Sequence, residues 1–425
     1  MRVLSPEEPH GSGPVLVRTV AVPDPGDLLE RIPQPDVVAW VHHGAGLAGW
    51  GEAISVTLPA GEDRFTAGEK WLRSVFDAAR VDDRVRVRGS GPVAFGTFTF
   101  DASSDGSVLV VPRVVLGRDG RGQAWLTTVT EPGEAPLTGW PLPAGPRLAV
   151  PRGLRWRDGS LPGPRWEQAV AEAVAAIKAG SLRKVVLARD VFATADEPID
   201  ARVLLRRLAA RYPGCFTFAC DGMVGATPEL LVRRAGRQVS ALVLGGTLPR
   251  GADQAEDLAL GEELLASAKN NEEHAYAVDS IREALGPLCE VLDVEARPSL
   301  LKFPNLQHLG TQVRGMLAGG QPPRSALALA AAVHPPAAVC GTPAGTALEL
   351  IRELEQMDRE RYAGPVGWVD ADGNGEWGIA LRCGQLSGRT ARLFAGCGIV
   401  AGSEPAAELA ETLVKLQPMR GALEG

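Results

Sequence analysis

FAGCGIVAGSEPAAELAETLVKL, residues 394–416, is the stretch whose reading decides the fold. It opens on apolar, strand-forming residues and passes through Gly396, Gly398 and Gly402. Ser403-Glu404-Pro405 then supplies a cap and an early proline that start a helix. From residue 404 to 416 the pattern is helical, and Glu408, Glu411 and Lys415 fall at i, i+3 and i+7 on one face. A strand, a glycine turn and a helix invite a dinucleotide-binding reading. The spacing here is GxGxxxG near the end of the chain, and no βαβ unit with a downstream acid follows, so that reading is rejected. The glycines instead mark places where backbone N–H groups can approach an anion closely.

Upstream, strands come in runs. Residues 366–369, 376–383 and 392–395 read as strands, with Asp372-Gly373-Asn374-Gly375 as a hairpin turn. Residues 184–188, 215–220 and 239–244 read the same way. Between them, residues 165–179, 204–212, 325–333 and 346–355 carry helical patterns, and 256–286 is a long helical stretch broken once. Residues 1–150 are rich in Gly and Pro and β-dominated, with alternation at 85–88, an aromatic run at 93–100 and a strand at 108–115. The proline-rich segment 141–164 reads as a loop. Strand runs between helices, without strict alternation, predict an α+β fold. The organisation expected is a β-rich part over 1–150 with no catalytic role and a catalytic region over 151–425, together forming one structural domain.

The chain has 425 residues, 45% hydrophobic and 22% charged, with a net charge of -7. That is the composition of a folded globular protein. The acidic balance disfavours nucleic acid as a partner and leaves room for a small anion in a locally basic site. The N-terminal residues contain no apolar signal-peptide core, and the longest apolar run, 325–333, is too short to cross a membrane. Six cysteines without CxxC spacing predict free thiols, and with them a cytoplasmic protein.

Several residues could carry chemistry. Glu272-Glu273-His274 lies on the long helical stretch; taken with the Glu408/Glu411 face, it offers carboxylates from two helices to a hard cation such as Mg2+. Each cluster alone reads as a solvated face. Lys184 opens an apolar strand, where partial burial would suit it to act as a base. Glu229 follows the turn Gly225-Ala226-Thr227-Pro228 and precedes Leu230-Leu231, where burial would keep it protonated as an acid. Gly245-Gly246-Thr247 is not a P-loop, because no GKS or GKT is present.

In order along the chain, KVVLARD (184–190), GATPELL (225–231), GGTLPRG (245–251), KNNEEH (269–274), NLQHL (305–309), HPPAAVCGTP (334–343), RYAGPVGW (361–368), WGIALRC (377–383) and FAGCGIVAGSEP (394–405) resemble the chorismate-utilising enzymes. FGTFTFD (95–101) and VVPR (110–113) resemble a weaker pattern of the isochorismate branch. The resemblance implies two large antiparallel sheets packed together, with helices around them. It implies that Lys184 activates the attacking water and Glu229 protonates the departing hydroxyl. Glu273 and Glu411 would ligate Mg2+ with Glu408 close by, and Lys415 would support that end. Tyr362 and Arg382 would bind the pyruvyl carboxylate, helped by the backbone near Gly396 and Gly398, while Gly246, Thr247 and His308 would line the pocket. The substrate implied is chorismate and a monomer is expected. Lys184 points to water as the nucleophile, as in isochorismate synthases. Salicylate synthases, which go on to eliminate pyruvate, share these residues, and a non-catalytic relative would be expected to lack at least one of them. The family often has HPTPAV where this chain has His334-Pro335-Pro336-Ala337-Ala338-Val339.

Overall fold

The computed structural model describes residues 15–131, 133–134, 148–319 and 324–425. The N-terminal reading and residues 141–147 of the expected loop lie outside them.

The architecture grows from one long pair, Ala45–Leu58 against Ser107–Arg118, with a bulge between Glu52 and Ile54. Past that bulge the free edge of Ser107–Arg118 has two different neighbours. Residues 114–118 pair with Ala124–Thr130, and residues 108–110 pair with Val93–Thr97. Two sheets diverge from this point. One continues through Val37–His42, Phe216–Cys220, Met223–Thr227, Cys383–Ser387 and Thr390–Ile399 to Lys184–Thr194. The other continues through Pro365–Asp370, Gly375–Ile379, Leu230–Ala235 and Gln238–Pro249 to Leu306–Leu317. Among the described residues every pairing is antiparallel except that of Leu16–Val22 with Arg80–Asp83.

The sheets pack face to face, as two-sided β layers must if each is to bury an apolar face. Trp40 of the first sheet donates its indole N–H to Glu376 of the second at 2.8 Å. A Cβ on Gly378 would lie 2.7 Å from the same indole, so the missing side chain there admits the tryptophan. Trp40 also stacks on Phe216 at 5.0 Å, and Phe98 meets Trp377 edge-on at 5.7 Å. Pairing also joins the β-rich first part to the later chain, Val37–His42 to Phe216–Cys220 and Val93–Thr97 to Pro365–Asp370.

Helices cover the outside. Gly163–Lys178 buries Trp166, Ala169, Val170, Ala173, Val174 and Ile177, the stripe its pattern predicts. The long stretch breaks at Ser267, which ends Gln254–Ala266 and caps Ala268–Leu285 by accepting from the Asn270 N–H. Pro405–Glu424 runs past Pro418, because Met419, Ala422 and Leu423 are buried and Arg207 donates to the carbonyls of Ala422 and Leu423. Ser403 does not cap its amides; the Ser403 hydroxyl accepts from the Val400 N–H instead.

Three local expectations are corrected. Residues 85–88 form a turn, since the Asp83 carboxylate accepts from the N–H groups of Val85 and Arg86. The described part of the expected 141–164 loop contains a strand, Arg155–Asp158, paired with Lys184–Thr194. The expected strand 376–383 is two strands in two different sheets, Gly375–Ile379 and Cys383–Ser387.

Candidate active site

Two chain crossings between the sheets build the centre of the site. Residues 228–229 pass from Met223–Thr227 in the first sheet to Leu230–Ala235 in the second, and Glu229 sits at the crossing. Residues 380–382 pass back the other way, and Arg382 holds φ +49°. A left-handed non-glycine residue is held there by its surroundings. The crossings are tied together by Ala226 N–H to Arg382 C=O at 3.2 Å and Ile379 N–H to Glu229 C=O at 3.3 Å.

Glu229 and Arg382 line one cavity with Gly246, Thr247, Glu273, His308, Tyr362, Gly396, Gly398 and Lys415. Every pocket residue expected from the sequence is therefore brought together. Lys184, Glu408 and Glu411 are not lining residues; they stand behind it. Lys184 is 1% exposed, and its ammonium lies 3.3 Å from Glu273. A Cβ on Gly398 would come within 2.0 Å of that Glu273 carboxylate and 3.1 Å of Lys184 Cε, so only glycine lets the pair sit against this strand. Glu272, by contrast, takes the Tyr276 hydroxyl at 2.8 Å on the exposed side of its helix.

The remaining expected residues are placed by equally local causes. Gly246 is the extra residue of a bulge between Gly245 and Thr247, with φ +58°, which brings Thr247 opposite His308. The His308 Nδ1 lies 3.2 Å from the Thr247 hydroxyl and 3.1 Å from the Gly246 carbonyl. Tyr362 stacks on Phe394 at 5.0 Å, and its hydroxyl would stand 3.2 Å from a Cβ on Gly396. Lys415 donates to the Gly396 carbonyl at 2.9 Å and pairs with Glu411 at 2.5 Å.

Burial decides the protonation states. It pushes Glu229 up to about 7, against the Leu244 backbone and the charges of Lys184, Arg382 and Lys415. It pushes His308 down to about 3 and Tyr362 upward, so the imidazole and the phenol are neutral. Glu229 is therefore a carboxylic acid able to donate a proton near neutrality.

Beside the cavity, oxygens of Glu408 and Glu411 and the Cys397 sulfur lie within 4.8 Å of one another. Glu273 belongs to the same electrostatic cluster: Glu408, Glu273 and Glu411 all act on Lys269. Each carboxylate has an ammonium of its own, Lys184 on Glu273, Lys269 on Glu408 at 3.0 Å and Lys415 on Glu411. Burial, with Glu411 next, raises Glu408. Burial also raises Cys397 well above an ordinary thiol, and its S–H donates to the Glu408 carbonyl at 3.3 Å. A neutral thiol is a poor ligand, so the donors left are carboxylate oxygens, which suit a hard divalent cation.

Sequence reasoning missed Arg359, which lines the cavity, and its partner Glu355. The i, i+4 spacing Glu355/Arg359 was visible but is the usual spacing of a surface pair. It named the 334–343 motif without assigning Ala338 and Val339 to the cavity wall, and it missed Lys269 as the partner of Glu408.

A fold of two diverging antiparallel sheets, with an acid and a guanidinium at their crossings and a carboxylate cluster beside them, defines a class. The family model described as chorismate binding enzyme matches residues 156–424, and the chain belongs to that family. It is 40% identical over 309 residues to isochorismate synthase DhbC of Bacillus subtilis, covering 65% of this chain and 77% of that protein. It is 35% identical over 444 residues to the salicylate biosynthesis isochorismate synthase of Pseudomonas aeruginosa, covering 96% of this chain and 90% of that one. The structure of MenF, the menaquinone-specific isochorismate synthase from Escherichia coli, superposes with a TM-score of 0.79 at 25% identity, over 98% of this chain and 97% of that one.

Proposed function

We propose that this chain is an isochorismate synthase, converting chorismate to isochorismate by addition of water at ring carbon 2 and loss of the 4-hydroxyl. The observation that carries the reading is a buried acid near neutrality, Glu229, lining a cavity behind whose Glu273 wall stands a buried lysine, Lys184. Lys184, once its ammonium has given up a proton and stands as the neutral amine, takes the proton of the attacking water, and Glu229 delivers its proton to the departing hydroxyl. No covalent intermediate is required; positioning and matched proton transfer do the work, the latter contributing roughly 10²–10⁴-fold. Arg382, with neutral Tyr362 and the backbone at Gly396 and Gly398, suits the pyruvyl carboxylate. Thr247 and His308 border the ring.

The carboxylate cluster fits Mg2+. Glu273 and Glu411 would hold it with Glu408 close by, and when bound it would offset and orient the ring carboxylate. The three ammonium groups now on these carboxylates support the fit, because they mark a cluster that requires cationic partners. We read the protein as a monomer acting in the cytoplasm, where its free thiols, five of them buried, would stay reduced. No helix among the described residues is long and apolar enough to cross a membrane.

The test is incubation with chorismate and Mg2+, products followed by chromatography with mass detection, beside an EDTA control. A product of unchanged mass, formed reversibly and abolished by EDTA, is expected. Salicylate with pyruvate in enzyme-dependent amounts would assign the pyruvate-eliminating reaction instead. Binding of chorismate without turnover would leave a binding protein. Lys184→Ala with near-normal turnover and intact folding would remove Lys184 as the base.

A further inference from the structure

Resting on the synthase reading, we infer that the buried Glu355–Arg359 pair positions the base-bearing strand, bonding the stretch of its edge that no described strand covers and bracing it against the Ala338-Val339 wall.

The Lys184–Thr194 strand is paired along one edge with Thr390–Ile399. Among the described residues its other edge has two short neighbours, Gly341–Thr342 at Lys184 and Val185, and Arg155–Asp158 from residue 191 onward. Between them the buried backbone needs partners, because an unpaired buried N–H or C=O is costly. Side chains supply most of them. Glu355 accepts from the Ala188 N–H at 2.7 Å, and Arg359 donates to the Val186 carbonyl at 2.7 Å. Trp166 donates to the Ala188 carbonyl at 3.0 Å.

Arg359 has a second arm. It donates to the Val339 carbonyl at 2.8 Å while binding Glu355 through both Nε and a terminal nitrogen, at 2.9 and 2.5 Å. Its guanidinium lies 4.2 Å from the centroid of the Phe100 ring. One planar fork thus braces the base strand against the 334–343 segment, beside the direct backbone bonds between them, Arg183 N–H to Thr342 C=O at 2.8 Å and Val186 N–H to Cys340 C=O at 2.7 Å. Val186, Ala338, Val339 and Arg359 all line the cavity, so the fork fixes the distance between two of its walls. A lysine cannot do this, since a point charge does not hold two carbonyls and a carboxylate in one plane. Stability alone is a weak reason for such a pair. Both residues are almost fully buried, and replacing buried ion pairs by apolar groups is often neutral or stabilising.

The test uses Arg359→Lys and the charge-free double variant Glu355→Leu/Arg359→Met in the full chain. Folding is followed by circular dichroism and thermal melting, and kcat and KM are measured with chorismate and Mg2+. Both variants are expected to fold. Their kcat should fall roughly ten- to hundredfold, the order expected for a misplacement near 1 Å, with KM for chorismate within about threefold. A lost fold without misplacement would lower active-site concentration and leave kcat per folded molecule unchanged, which would overturn the inference. So would wild-type kcat in either folded variant, including rescue by Arg359→Lys. Should the double variant fail to fold, Arg359→Lys, which keeps the charge, decides by the same readout. Absence of turnover in the unmodified protein would overturn the synthase reading and this inference together, whereas turnover with unimpaired variants overturns this inference alone.

Discussion

Glu229→Gln separates two properties that burial gives to one carboxyl. Glutamine has nearly the same shape, no charge at any pH and no proton to deliver. Burial raises the Glu229 pKa from the ordinary 4.5 to about 7, and each pKa unit is worth 1.36 kcal/mol, so the ionised form costs the folded state up to about 3 kcal/mol. The sign follows from proton binding. Between 4.5 and about 7 the folded protein holds a proton that the unfolded chain has released, so this group's contribution falls as pH rises through that window and is fully lost above it. At pH 5 the variant should therefore gain less than about 1 kcal/mol over the wild type. At pH 8, without added metal, the variant should be more stable, by up to about 3 kcal/mol. Its turnover should meanwhile fall by roughly 10²–10⁴-fold at both pH values, because the acid is gone. In the wild type the forward rate should decline above about pH 7 as Glu229 loses its proton. Equal stability difference at pH 5 and 8, or a variant that keeps its turnover, would refute the argument that Glu229 is a neutral buried acid.

Other outcomes follow from the same geometry. Glu411→Gln should raise the Mg2+ concentration needed for half-maximal activity by about tenfold or more, with less effect on KM for chorismate at saturating metal, measured by magnesium titration. Arg382→Lys should raise KM for chorismate by roughly ten- to hundredfold, since hydrogen bonds to charged groups are worth about 1.5–3 kcal/mol and the planar fork is lost; steady-state kinetics on the folded variant checks it. In native protein at pH 8, the half-buried Cys289 should be the first thiol to react with a chromogenic disulfide. The five buried cysteines, Cys397 among them, should react only on unfolding.

Most of the fold class was legible because local periodicity carries it. Residues 163–178 place their buried side chains on the stripe the sequence shows, and the break expected within 256–286 falls at Ser267. Which sheet a strand joins was not legible. Residues 376–383 read as one strand around Trp377, Ile379, Ala380 and Leu381, and nothing in its pattern announces that the chain leaves one sheet at Ile379 and enters the other at Cys383. The turn at 85–88 was misread for a related reason: the carboxylate of Asp83 captures two backbone N–H groups, and that competition outweighs an alternating pattern only two periods long.

The site was legible where chemistry sits in a distinctive residue type, and illegible where it rests on burial. Lys184, Glu273, Glu411 and Arg382 could be named from type and motif. That Lys184 is 1% exposed, or that Glu229 is a neutral acid, is set by the packing of two sheets from distant parts of the chain. Glu229 and Arg382 share a cause. Each stands where the chain steps between sheets, so its backbone leaves the ladder and its side chain is freed to face the space between the layers. A residue inside either ladder points to one face of one sheet; a residue at a crossing can serve both. The acid and the guanidinium that line the cavity are thus placed by the same topological step that divides the two sheets. Moving either by one residue toward the C-terminus would put it on a ladder, at Leu230 or Cys383, and out of the cavity.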